Sequence, residues 1–334
     1  MSASAAHISL DVLKLDPAAE SGRIEKWIRE TVERTLRRKG VVVGLSGGID
    51  SSVVAALCSR ALGRERVLGL LMPEMESSDD SIGYAELTAK SLGISTLIED
   101  ISPALQALGC YTRRDEAIRT IVPEYEAGWK CKLVLSDMSA GAQYAISSLV
   151  VKPPQGPEKK VRLTSQAYSA IVAASNFKQR TRKMIEYFHA ERLQYAVAGT
   201  PNRLEYDQGF FVKNGDGAAD LKPIAHLYKS QVYQLSAFLN LPQEIQSRAS
   251  TTDTYSLPQS QEEFYFSVPL ETFDLCLFGK NHGISAARVA GAVGMTAEQV
   301  ERVYASIDAK RRATAYLHRP PVLVEEVGEI APKF

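Results

Sequence analysis

Apolar positions along this chain follow two alternating rhythms. Short apolar runs of buried-strand length occur at Val41 to Val43, Val67 to Met72, Thr96 to Ile98 and Tyr195 to Ala198. Around them, apolar residues recur at helical spacing. Ile24, Trp27, Ile28 and Val32 form one face of Pro17 to Arg38, and Val53, Val54, Leu57 and Ala61 follow the first strand. Ile82, Ala85, Ala89 and Leu92 mark Asp79 to Leu92, Tyr168, Ile171, Met184, Ile185 and Phe188 mark Ser165 to Ala190, and Val232, Leu235 and Leu239 follow Lys229. Strand and helix in alternation predict an α/β fold, a Rossmann-like parallel sheet with helices on both faces. Ligands of such sheets bind beyond the carboxyl ends of the strands.

Two stretches depart from that rhythm. Cys110 to Ser165 holds Trp129, Pro153-Pro154 and Pro157 among mixed charges, and reads either as a lid or small subdomain or as surface elaboration. The end of the chain shows helix, turn, helix, with Ser285 to Val293, Gly294-Met295 and Thr296 to Ala313. The expected organisation is an N-terminal helix packed on the core (1–40), a core in two pieces (41–109 and 166–270), an insertion (110–165) and a helical C-terminal region (271–334).

Candidate chemistry begins where the first strand ends, in Gly44-Leu45-Ser46-Gly47-Gly48-Ile49-Asp50-Ser51-Ser52. Strand, small-residue turn and helix make a cradle for an anion, because glycine permits close approach and the first N–H groups of a helix are unpaired. Neither G-x-x-x-x-G-K-[ST] nor G-x-G-x-x-G is present. Instead Asp50 stands in the first helical turn, where a phosphate would lie. One reading is a pyrophosphate bound through Mg²⁺; the other is a carboxylate that merely suits the helix dipole. Glu205, in the opening turn of a helix after the Tyr195 to Ala198 strand, is placed by the same logic, and two such carboxylates facing one pyrophosphate make a Mg²⁺ site. Taken alone, Glu205 reads as surface and Lys229 as a solvated lysine. Arg248 to Glu263, polar and aperiodic, reads as an active-site flap.

Composition narrows the class. The 334 residues carry 39 basic and 39 acidic side chains, so no global field points to nucleic acid, and the C-terminal hairpin is read as packing rather than DNA binding. No run of eighteen apolar residues and no cleavable leader is present, which argues against a membrane and for the cytoplasm. Cys58, Cys110, Cys131 and Cys276 have no metal-ligand spacing and read as reduced structural thiols.

The Ser46 to Ser51 loop resembles the S-G-G-x-D-S loop of the PP-loop ATP pyrophosphatases, a fold of the adenine nucleotide α-hydrolase type. Gly199 to Glu205, Gly209 to Asp220 and Leu227 to Val232 are similar to the ammonia-dependent NAD synthetases of that superfamily. The resemblance runs from about Gly40 to Asp100 and from about Asn176 to Arg312. It implies an ATP-dependent amide ligase: the carboxylate of nicotinic acid adenine dinucleotide (deamido-NAD) is adenylated with release of pyrophosphate, and ammonia displaces AMP. It implies ATP contacts from Gly44, Ser46, Gly47, Gly48, Asp50, Ser51, Ser52, Thr200, Lys229 and Thr251, and Mg²⁺ on Asp50 and Glu205. It implies contacts to the deamido substrate from Arg180, Lys213, Asp220 and Lys310, and a homodimer. The family's C-terminal His-Lys pair is replaced here by Ala309-Lys310, with His318 displaced, and the insertion is a second departure; both bear on the acceptor. A PP-loop enzyme with another small carboxylate, or a non-catalytic nucleotide-binding regulator, are the alternatives. His189, His226, His282 and His318 are given no catalytic role. With no N-terminal cysteine after Met1-Ser2 and no second domain visible, free ammonia or ammonia from a separate glutaminase is the expected nitrogen donor.

Overall fold

The computed structural model describes residues 8–137, 146–252, 254–325 and 327–328. Expectations that fall on Met1 and Ser2, on residues 138–145 of the insertion, on Asp253 and on the last residues of the C-terminal region lie outside the described residues.

The chain runs α1 (Pro17–Glu30), β1 (Val41–Gly44), α2 (Ile49–Leu62), β2 (Val67–Leu71), α3 (Asp79–Leu92), β3 (Ser95–Ile98), α4 (Ser102–Ala107) and α5 (Cys110–Arg119). Three strands follow, β4 (Lys130–Leu135), β5 (Ser147–Lys152) and β6 (Lys159–Arg162), then α6 (Ser165–Leu193), β7 (Ala196–Ala198), α7 (Arg203–Gln208), α8 (Lys229–Phe238) and α9 (Gln243–Gln246). The end is helical, with α10 (Leu270–Asn281), α11 (Ala286–Val293) and α12 (Ala297–Thr314). Pro17 to Arg38, expected as one helix, is α-helical to Glu30 and ends in a single π turn over Thr31–Thr35.

The parallel sheet has the order β3-β2-β1-β7. Alternation on β1 fixes its two faces: Val41 and Val43 pack with α1, α2 and α8, and Val42 packs with Leu68, Leu70 and Val197 beneath α4, α5 and α6. Cys110 and Tyr111 join that second face, so the packing of the core continues past the boundary expected at Cys110. The chain leaves β1 toward β2 on one side and meets β7 on the other. The crevice at this switch point receives the Ser46 loop and Gly199-Thr200, which is where an α/β sheet binds its ligand.

Between α5 and α6 the strands β4, β5 and β6 form a separate antiparallel sheet. Cys131, Leu133, Leu149 and Val151 on one face cover Ile118, Val122 and Ile171. The C-terminal helices pack around Phe273, Leu277, Val289, Val303 and Ile307. No described helix is long and apolar enough to cross a membrane.

Candidate active site

β1 ends in a turn that only glycine suits. Gly47 has φ +74°, and a Cβ there would lie 2.6 Å from Ser81 O. Gly48 begins α2 and brings no side chain to cap it, which leaves first-turn N–H groups for an anion. The Ser46 and Ser51 hydroxyls stand 3.2 Å apart at the mouth of this turn, and Ser51 Oγ donates to Gly48 O at 3.0 Å. Ser52 points the other way, fully buried between Gly48 O and Thr88. Arg248 braces the loop: its guanidinium donates to Gly47 O at 2.9 Å and to Ser81 Oγ at 3.0 Å while lying over the Tyr84 ring.

Asp50 extends from α2 toward two partners. One carboxylate oxygen pairs with Lys229 Nζ, and the other accepts from Asn202 Nδ2 at 3.1 Å. Lys229, read from sequence as solvated, is only 2% exposed. Burial opposes its charge, but Asp50 and Glu205 outweigh burial and raise its pKa. Asn202 and Glu205 form a capping box at α7: Asn202 Oδ1 accepts from Leu204 N–H and Glu205 N–H, and Glu205 Oε2 accepts from Asn202 N–H at 3.0 Å. Gln261 Nε2 donates to the other Glu205 oxygen at 3.0 Å. Asn202 thereby fixes both acids. Burial and the Asp50 charge push the Glu205 carboxyl up to about 8, against the opposing pull of Lys229 and its hydrogen bonds.

Ser46, Asp50, Ser51, Glu205, Lys229 and Gln261 line a pocket of about 120 Å³, with Asn202 behind its wall. Ser46, Thr200, Glu205, Thr251 and Gln261 also line a cavity of about 1080 Å³, so the small pocket adjoins the large one. Gly44, Lys178, Lys183, Glu186 and Lys310 are on the large cavity's wall. Lys183 Nζ pairs with Glu186 at 2.6 Å. Lys178, 1% exposed, is locked between Glu74, Glu76 and Thr254 O. Lys310 lies 4.4 Å from the Tyr265 ring centroid and donates to Tyr265 O; burial alone brings its pKa down to about 7.

Of the residues singled out from sequence for the deamido substrate, Lys310 reaches the large cavity, and the other three line neither cavity. Arg180 is exposed with its Nε on Lys213 O at 3.3 Å. Lys213 Nζ donates to Tyr316 O and Arg319 O, and Asp220 accepts from Val197 N–H and from Tyr187. Ser52 lines neither cavity. His189 and His226 contact Glu99 and Glu20, His282 stacks on Phe278, and His318 packs edge-on against Tyr206 and Phe211.

The family model for NAD synthase matches residues 20–124 and 152–314. The chain belongs to the NAD synthase family. The NH(3)-dependent NAD(+) synthetase of Mesorhizobium japonicum is 58% identical over 318 residues, covering 95% of this chain and all of that one. Two solved structures share the fold. The NH3-dependent NAD synthetase of Campylobacter jejuni, in complex with the nitrate ion, has a TM-score of 0.60 at 22% identity and covers 93% of this chain and 100% of its own. The NMN synthetase of Francisella tularensis has a TM-score of 0.59 at 21% identity, covering 93% and 99%. Members of this family are ligases, and so is this chain.

Several site residues escaped the reading of the sequence. Asn202 was recoverable, since N-x-x-E at a helix start is a capping-box signature. Lys178, Arg182 and Glu186 recur every four residues along α6 as a polar stripe; apart from Arg180, the reading of that helix rested on its apolar positions and passed over the stripe. Arg248 and Gln261 lie in the segment read as an active-site flap, but nothing in the sequence singles them out within it; long-range folding brings them to Gly47 and Glu205.

Proposed function

We infer that this chain makes NAD from deamido-NAD, ATP and ammonia, activating the carboxylate as an acyl adenylate with release of pyrophosphate before ammonia displaces AMP. The observation that carries the reading is the Asp50, Lys229, Asn202, Glu205 constellation beside the Ser46 to Ser51 loop. The loop and the start of α2 receive the pyrophosphate end of ATP, and Lys229 and Arg248 contribute positive charge there. Thr200 and Thr251, on the wall of both cavities, guide the nucleotide between them. Asp50 and Glu205 suit Mg²⁺, which takes a few carboxylates with phosphate oxygens and water, and no cluster of three acidic, His or Cys ligands exists among the described residues. When bound, Mg²⁺ supplies neutralisation of the charge that develops on the leaving pyrophosphate. On the acceptor side, Lys310 faces the cavity, and Arg180, Lys213 and Asp220 can meet substrate only from the surface.

A homodimer gives those surface residues a place. Met184 and Phe188, 60% and 57% exposed, continue the line of Arg180 along α6, and a second copy on this stripe would cover them and enclose Arg180. All four cysteines are free and buried, as suits the reducing cytoplasm. Burial raises the pKa of each, to about 12 for Cys58 and Cys276 and about 11 for Cys110. None has the activated thiolate a glutaminase needs, so ammonia arrives free or from a separate glutaminase. A different small carboxylate acceptor is the second reading, favoured by Leu133, Val134 and Leu135, which line the large cavity from a segment outside the family model.

The test is to supply ATP, Mg²⁺ and ammonium with deamido-NAD and with a panel of other carboxylates, following AMP, pyrophosphate and amide. Deamido-NAD should be turned over best. Faster AMP formation with another carboxylate would transfer the assignment to that acceptor.

A further inference from the structure

The insertion and the polar segment beside the nucleotide pocket are joined along a sheet edge. Cys131 and Leu133, two residues apart on β4, direct backbone groups away from β5, and such an edge invites pairing. It is covered by residues 255–259. Leu257 N–H donates to Cys131 O at 3.1 Å, Cys131 N–H donates to Ser256 Oγ at 2.9 Å, and Gln259 Nε2 donates to Leu133 O. Side chains interleave as well. Tyr255 packs with the Cys131 and Leu133 face of the sheet, and Leu257 packs with Val134 and Val150 on the opposite face.

The same segment folds back on itself toward the site. Thr252 N–H donates to Gln259 O at 3.0 Å, Gln261 N–H donates to Ser250 O at 3.1 Å, and Thr251 pairs antiparallel with Ser260. That pairing places Thr251 on the small pocket and aims Gln261 at Glu205. The contacts from β4 to Glu205 are therefore continuous. The family model passes over residues 125–151, which contain the whole of β4, so the clamp is built by a part of this chain that the family pattern does not describe.

We propose that β4 is a fixed jaw that holds residues 250–252 and 254–261 in register over the nucleotide pocket before any nucleotide binds, with Gln259 and Ser256 as positioning residues for Gln261 and Glu205. The inference rests on the reading of that pocket as the ATP site. A side chain held by such supporting hydrogen bonds keeps the geometry of the group it orients, and loosening it lowers the rate more than it weakens binding.

Gln259→Leu keeps the size of the side chain and removes the donor to Leu133 O; Ser256→Ala removes the acceptor for Cys131 N–H, and Ser256→Thr keeps it. Amide hydrogen exchange of the ligand-free protein should be about tenfold faster over residues 254–261 in Gln259→Leu and Ser256→Ala, the scale of one lost hydrogen bond. Exchange over residues 41–71 should stay unchanged, and Ser256→Thr should exchange as the unaltered protein does. In AMP formation, kcat should fall about tenfold with KM for ATP changing far less. Unchanged exchange over 254–261, equal acceleration over 41–71, or faster exchange with kcat intact would each overturn the proposal. If Gln259→Leu does not fold, Ser256→Ala and its threonine control carry the same comparison. The exchange readout needs no acceptor, so a failure to amidate deamido-NAD would refute the function above without touching the jaw.

Discussion

Replacing Lys229 by methionine removes the buried positive charge at the site and leaves the Asp50 carboxylate without its ion-pair partner on the wall of a pocket of about 120 Å³. Two unit charges about 4 Å apart interact by roughly 4 kcal/mol in surroundings of intermediate polarity, and breaking a buried ion pair costs about 3–5 kcal/mol. For 334 residues the unfolding entropy is roughly 0.7 kcal/mol per degree, so Lys229→Met should lower Tm by about 4–7 °C. Asp50→Asn should cost less, because Glu205 still faces Lys229 and, freed from the Asp50 charge, ionises more readily. The double variant should lose less than the sum of the singles by about 2 kcal/mol, the coupling expected of groups in contact. Melting the four proteins with and without Mg²⁺ provides the assay. Mg²⁺ should raise the Tm of Lys229→Met more than that of the unaltered protein, because it replaces the missing charge. Strict additivity of the two substitutions would refute the coupling, and a Tm for Lys229→Met that ignores Mg²⁺ would refute the shared site.

Glu205, protonated in the free protein up to about pH 8, must lose its proton to hold a cation, so Mg²⁺ affinity should rise with pH from 6 to 8 and level off above. Glu205→Gln should abolish that dependence and reduce adenylation by about two orders of magnitude or more, read as AMP formation over a Mg²⁺ titration at several pH values. Lys310 has its folded pKa lowered to about 7 from 10.5, so the unfolded chain binds more protons between those values and stability should rise with pH across that window. Lys310→Met should flatten this slope and raise Tm most at and below pH 7, with the gain shrinking toward pH 9, as melts from pH 6 to 9 would show. Met184→Glu with Phe188→Glu should give a folded monomer by light scattering if α6 carries the dimer contact, and an unchanged mass would remove that stripe from the interface.

Local patterns decided the scaffold of this protein. Val41 to Val43 alternate between two packed faces, and Gly47 adopts a backbone angle that other residues avoid, so strand, turn and helix are written within a dozen residues. The acids Asp50 and Glu205 follow from the same grammar, since each stands in the first turn of the helix that follows a strand's carboxyl end. Lys229, which the resemblance placed at ATP, taken alone reads as solvated because burial belongs to tertiary packing: in sequence it opens an ordinary helix, and only the approach of α8 to α2 pairs it with Asp50 and removes it from water. The insertion shows the other limit. Its short, charged strands carry weak periodicity, and the partner of β4, residues 255–259, lies more than a hundred residues away. The sheet edge offers backbone groups present in every residue, and Ser256 and Gln259, which meet it with their side chains, are common polar residues whose partners only long-range folding brings near, so nothing in the local pattern announces the pairing.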